Sequence, residues 1–250
     1  YFSRLSQRFI SAVNTMTSEG QLYEIDMRLR PSGNKSAVAV PLSAYSTYMQ
    51  NDAWTWEVMA ATRARIIAGP EDLAENLLTT LREIVLRRRD GEDLRRSVLD
   101  MRRRIAKQHG TRDPWSVKQV RGGLVDLEFL TQYLILAHAS DRPAVVRGHV
   151  GAAMDRLHEA GLLTDAQYEA LSEANRVLKS TQMLLRLCFH HGFKEENASE
   201  DFRLLAAEIV GGGDFDDDRA AVRRAEADVY RAFQEILGEE NETMATGDSA

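Results

Sequence analysis

From residue 43 to residue 237 the apolar residues recur at spacings of three and four, and no convincing strand pattern appears. A chain patterned this way buries its apolar side chains by packing helix against helix. The spacing predicts helices over 43–49, 53–67, 71–89, 93–109, 124–137, 150–160, 165–191, 202–210 and 219–237. Gly69-Pro70, Asp90-Gly91 and Gly211-Gly212-Gly213 fall between them, where helices stop. Residues 124–137 are apolar on nearly every side, which predicts a helix at the centre of the bundle.

The first 45 residues read differently. Phe2, Leu5, Phe9, Ile10 and Val13 mark an amphipathic helix over 1–13. Tyr23, Ile25, Met27 and Leu29 then alternate with Glu24, Asp26, Arg28 and Arg30, the period of a half-buried strand. Pro31-Ser32-Gly33-Asn34-Lys35 is a turn by composition, and Ala37 to Val40 a short second strand, so the pair reads as a hairpin. Two strands alone are marginal in water. The expected fold is therefore mainly α with a small α+β part: a two-stranded remnant in residues 1–68, followed by a helical bundle in residues 69–250.

The 250 residues are 44% hydrophobic and 28% charged, enough to build a core and too apolar for a disordered chain. No apolar run approaches the ~20 residues of a membrane span, and the sequence opens without a signal-peptide pattern. One cysteine, Cys188, allows no internal disulfide and excludes a Cys-rich zinc module, as expected for a cytoplasmic protein. Net charge is −6, but residues 195–250 hold 16 acidic and 5 basic residues, which leaves the first 194 residues at +5. The acidic end argues against a nucleic-acid partner, while the basic part allows a local anionic ligand.

Four groups of residues could carry chemistry. On the first strand, Glu24, Asp26, Arg28 and Arg30 share one face, because side chains alternate. A carboxylate there can hold Mg²⁺, and the guanidiniums with the Ser32–Lys35 turn can hold phosphates; a solvated face with cross-strand ion pairs is the other reading. Ala53-Trp54-Thr55-Trp56-Glu57, with Arg63 and Arg65 beyond, supplies core aromatics, and Glu57 is too far from Arg63 for an i,i+4 pair. Lys118, Arg121, Gly122 and Gly123 precede a helix and could cradle an anion, or form a tight turn. Asp126 lies inside that apolar helix and must be paired, with Lys118 or Arg121 as candidates. Nine arginines and five acids interleave between Arg82 and Arg104, which reads as a solvated helical face, or as a docking surface for an acidic partner. His190-His191 lacks further ligands at metal spacing, and Asp214, Asp216, Asp217 and Asp218 suit a helix N-terminus better than a metal loop.

The string Leu22-Tyr23-Glu24-Ile25-Asp26-Met27-Arg28-Leu29-Arg30-Pro31-Ser32-Gly33 is more specific. With Ala53-Trp54-Thr55-Trp56-Glu57, Arg63-Ala64-Arg65 and Gly122-Gly123-Leu124-Val125-Asp126-Leu127-Glu128-Phe129, in that order, the chain resembles the glutamine synthetase adenylyltransferases. The resemblance implies a nucleotidyltransferase with ATP as substrate and Mg²⁺ as cofactor. It implies glutamine synthetase and the PII signal protein as partners, and glutamine as effector. Arg-Pro-Ser-Gly with Ala-Trp-Thr-Trp-Glu resembles the C-terminal half, which attaches AMP to a tyrosine of glutamine synthetase.

Carried residue by residue, the resemblance makes Asp26 the third catalytic carboxylate, a metal ligand and activator of the tyrosine hydroxyl. Arg28, Arg30, Ser32, Gly33, Asn34, Lys118 and Arg121 would hold nucleotide or phosphate. Glu24, Glu57, Arg63 and Arg65 would stand behind them. The family's Gly-Ser…Asp-x-Asp signature, with two further carboxylates, is absent from these 250 residues, so the chain alone is expected to be inactive. Two alternatives stand: the half that removes AMP by phosphorolysis, and a helical regulatory module that binds PII or glutamine.

Overall fold

The computed structural model describes residues 1–21, 25–27, 29–31, 33, 36–189, 192–211 and 213–238. The chain forms two compact units, Tyr1–Arg87 and Arg88–Ala250. The division falls at Arg87 rather than after residue 68, because the helix Glu71–Leu86 packs against the two helices before it.

The first unit holds α1 (Phe2–Asn14), α2 (Leu42–Asn51), α3 (Thr55–Ala61) and α4 (Glu71–Leu86). α1 forms as its spacing predicts, yet none of its residues is buried, and Phe2, Leu5 and Phe9 are exposed. α3 stops at Ala61, six residues short of the expected end. The Thr62 and Arg63 N–H groups bond back only three residues, to Met59 and Ala60, and this tightening closes the last turn.

The hairpin does not form among the described residues. Ile25 to Met27 and Ala37 to Val40 make no ladder, and the isolated bridge Thr17–Gly20 is the pairing recorded there. Leu29, expected to face inward, is 68% exposed. The physical reason is the one that makes paired strands marginal: the described residues offer no sheet on which an alternating face could be buried.

The second unit holds α5 (Gly91–His109), α6 (Leu124–His138), α7 (Val150–Glu159), α8 (Asp165–Cys188), α9 (Glu200–Val210) and α10 (Phe215–Leu237). α6 touches α5, α7, α8 and α10 and is central, as its all-round apolar surface requires. α8 and α10 form the most extensive pair. Leu127, Leu157, Leu178, Val222, Phe233 and Leu237 are fully buried in this unit, each contributing roughly 1.5–3 kcal/mol of transfer free energy.

Side-chain caps set several helix starts. Asp90 accepts from Glu92 and Asp93 N–H, Thr164 forms a capping box with Gln167, and Ser199 accepts from Phe202 N–H. Asp214 accepts from Asp217 N–H and starts α10 at Phe215, four residues before the predicted start. The acidic run after the glycines is thus the cap and first turn of a helix, where negative charge is favourable.

Candidate functional site

In the first unit, the segment carrying Asp26 is held by hydrogen bonds rather than by a sheet. The Ile25 N–H donates to Asn14 Oδ1 at 3.1 Å, from the last turn of α1. The Arg30 guanidinium donates to the Met27 carbonyl at 2.6 Å and to the Ser36 carbonyl at 3.4 Å. Gly33 N–H closes the turn on the Arg30 carbonyl at 2.8 Å. Gly33 has φ +52°, a left-handed position that glycine occupies without strain. Asp26, braced on both sides, is exposed. It can supply one oxygen to a cation; among the described residues no cluster of three or more metal-binding side chains assembles. Mg²⁺ needs only one or two carboxylates when phosphates and waters fill the rest of its shell, so a single exposed Asp26 fits as one ligand. The calls on Glu24, Arg28, Ser32 and Asn34 lie outside the described residues.

Glu57 is buried at the start of α3. Its carboxylate accepts the Tyr48 hydroxyl at 2.8 and 3.0 Å and the Trp54 N–H at 2.9 Å. This ties α2 to α3. Burial, followed by the nearby Glu57 charge, pushes the Tyr45 hydroxyl above its ordinary range. Arg63 and Arg65 are exposed past the end of α3.

The second unit contains a buried ionic centre. Asp126 on α6 is fully buried and is engaged by Arg102 of α5 through two guanidinium nitrogens. It also accepts the Gly122 N–H and, at 3.3 Å, Arg121 Nη1. Arg121 further lies over the rings of Tyr230 and Phe233, at 5.1 and 5.5 Å. Of the two partners expected for Asp126, Arg121 pairs with it; Lys118 is exposed and does not. The sequence pattern missed Arg102. It sits within the arginine-rich run read as a solvated face, yet it is among the largest fully buried side chains of the described residues.

The two glycines serve packing. A Cβ on Gly122 would lie 1.9 Å from the Glu226 carbonyl oxygen of α10, and one on Gly123 would lie 2.4 Å from the Val117 carbonyl oxygen. Backbone N–H groups at the start of α6 are already used: Gly123 donates to Val120, Leu124 to Val117 and Val125 to Lys118. Glu226 faces this junction half-buried, and burial, with Asp113 adding to it, lifts its carboxyl to about 7 against the opposing pull of Arg223.

Residues 1–80 match the family model for glutamate-ammonia ligase adenylyltransferase, and residues 92–243 match that for GlnD PII-uridylyltransferase. The second match spans more than half of the chain, and curated relatives carry both regions together. The bifunctional glutamine synthetase adenylyltransferase/adenylyl-removing enzyme of Bradyrhizobium diazoefficiens is 39% identical over 237 residues, 95% of this chain and 24% of that protein. The chain belongs to the family that the GlnD PII-uridylyltransferase model describes. The corresponding enzyme of Rhodopseudomonas palustris strain CGA009 is 37% identical over 96% of this chain, and that of Xanthobacter autotrophicus 36% over 95%. The chain spans about a quarter of the length of the curated relatives it matches.

The adenylyltransferase match covers the segment with Asp26, Arg30 and Gly33 and the Glu57 cap. The uridylyltransferase match covers the Arg102–Asp126 centre. The structure therefore divides the candidate residues between units: Asp26, Arg30, Gly33, Glu57, Arg63 and Arg65 in the first, Lys118 and Arg121 in the second. Asn14 and Tyr48, which hold the first group, were not legible as such, since nothing in their spacing distinguishes them from ordinary helix-surface residues. Among the described residues no helix is long and apolar enough to cross a membrane.

Proposed function

We propose that this chain is part of an enzyme that transfers AMP from ATP to a tyrosine hydroxyl of glutamine synthetase, and that Asp26 is its catalytic carboxylate. The carrying observation is that Asp26 is exposed on a segment braced by Asn14 and Arg30. An exposed carboxylate can accept the tyrosine proton as its oxygen attacks the α-phosphate. Mg²⁺, when bound beside Asp26, neutralises phosphate charge. Arg30 uses two of its five N–H donors on carbonyls, which leaves donors for a phosphate oxygen while its stem holds the turn. Arg28, Ser32 and Asn34 complete the nucleotide contacts on this reading.

The string Arg30-Pro31-Ser32-Gly33 with Ala53-Trp54-Thr55-Trp56-Glu57 supports the adenylylating half over the adenylyl-removing one. The uridylyltransferase match across the bundle supports a regulatory role for that unit, in which it meets the PII signal protein and responds to glutamine in the cytoplasm. On this reading the 250-residue chain alone transfers no AMP, because it carries one of the three carboxylates that the family resemblance implies.

The test is transfer of labelled AMP to glutamine synthetase by the full-length protein that contains this chain. Transfer that disappears in Asp26→Asn, with folding intact, supports the assignment. Asp26→Asn that leaves transfer intact but abolishes phosphate-dependent AMP removal reverses the half. Undiminished transfer and removal in Asp26→Asn would sink the role of Asp26.

A further inference from the structure

The second unit has a cleft of about 520 Å³ that the proposed reaction does not use, and its volume is that of a small-molecule site. It lies where the stretch from Asp113 to Gln119 meets the last turns of α8, with Phe193 beyond. Leu185, Phe189 and Phe193 make an apolar, partly aromatic wall. Lys118 and Arg186 contribute two exposed cations, and neither pairs with a carboxylate among the described residues. Asp113 is the acidic group in the lining; its carboxylate already accepts the Trp115 N–H and the Ser116 hydroxyl. Gln119, also in the lining, has a buried Oε1 with no hydrogen-bond donor.

These features ask for three things in one ligand. Two cations ask for an anion, which Arg and Lys recognise best as a phosphate. The wall asks for a flat apolar body that can stack on phenylalanine. The orphaned Gln119 oxygen asks for an N–H donor, since an unpaired buried acceptor is costly. We propose that this cleft is a binding site for a nucleoside monophosphate, separate from the Asp26 segment, with the phosphate at Lys118 and Arg186 and the base against Phe189 and Phe193. A base amino group donates to Gln119. The inference does not rest on the reaction proposed above.

Isothermal titration of the 250-residue chain with AMP tests it. One AMP binds per chain, and Lys118→Met and Arg186→Met each weaken binding by roughly tenfold or more, the worth of one charge-assisted hydrogen bond. Lys118→Arg retains it. Both positions are exposed, so circular dichroism is expected to show an unchanged fold. Arg30→Gln, in the other unit, leaves this binding intact. Three results overturn the proposal: no heat with millimolar AMP; binding lost in Arg30→Gln but untouched by Lys118→Met and Arg186→Met, which places AMP at the Asp26 segment; or inorganic phosphate binding as tightly as AMP, which removes the base from the site.

Discussion

Arg102 and Asp126 form an ion pair in which both side chains are fully buried, and it joins α5 to α6 at the centre of the helical unit. Asp126 is over-supplied with donors, since Arg121 and the Gly122 N–H reach it as well. Arg102 is not fully satisfied: its Nη1 has no hydrogen-bond partner. Removing one partner of such a pair leaves an uncompensated buried charge. Asp126→Leu, which leaves the buried Arg102 charge without its partner, is therefore expected to destabilise the unit by about 3–5 kcal/mol. Arg102→Met with Asp126→Leu should recover much of that loss. Urea unfolding of the single and double variants measures both.

Gly122 and Gly161 both have positive φ, +78° and +69°, but differ in what surrounds them. Gly161 has open space where a Cβ would go, whereas at Gly122 the α10 backbone occupies it. Gly161→Ala is expected to cost about 1 kcal/mol of backbone strain. Gly122→Ala must also displace α10 and should cost roughly 2–4 kcal/mol. Thermal melts of the two variants separate conformational strain from steric exclusion.

Glu226 makes the stability of the bundle depend on pH. Its folded carboxyl is raised from the ordinary 4.5 to about 7, chiefly by burial. The folded state therefore holds a proton that the unfolded state releases between those values, so stability falls as pH rises from 4.5 to about 7 and then levels off. Glu226→Gln should remove this slope. The variant is expected to match the parent in melting temperature near pH 4 and to exceed it above pH 7; equal melting temperatures at pH 8 would count against the assignment.

Tyr48 and Glu57 link α2 to α3 through a hydroxyl shared between both carboxylate oxygens. Hydrogen bonds to a charged group contribute about 1.5–3 kcal/mol. Tyr48→Phe should lower stability by an amount in that range, and Glu57→Gln should lose most of the same energy. A double-mutant cycle in chemical denaturation gives the coupling directly.

The helices were legible because their signal is local. Apolar spacing and breakers such as Gly69-Pro70 and Asp90-Gly91 act within one or two turns. Among the described residues the expected hairpin does not form, for the converse reason. Alternation from Tyr23 to Arg30 is a local pattern, but a strand exists only with a partner and a buried face, and Leu29 is exposed. Of the candidate site, Asp26, Arg30 and Gly33 stood out by motif, whereas Asn14, which pins Ile25 from eleven residues away, carries no sequence signature.

The sequence by itself determined that the chain is helical, where most helices begin and end, that α6 is central, and which family the motifs resemble. These follow from short-range periodicity and from motif order. Tertiary structure alone decided that Arg102, one of nine arginines in a charged run, is buried on Asp126, 24 residues away. It also decided that Gly122 is a contact with α10 rather than an anion cradle, and that Glu57 is a cap. A charge is placed by what desolvates and pairs with it, and those groups are brought together only when distant helices pack.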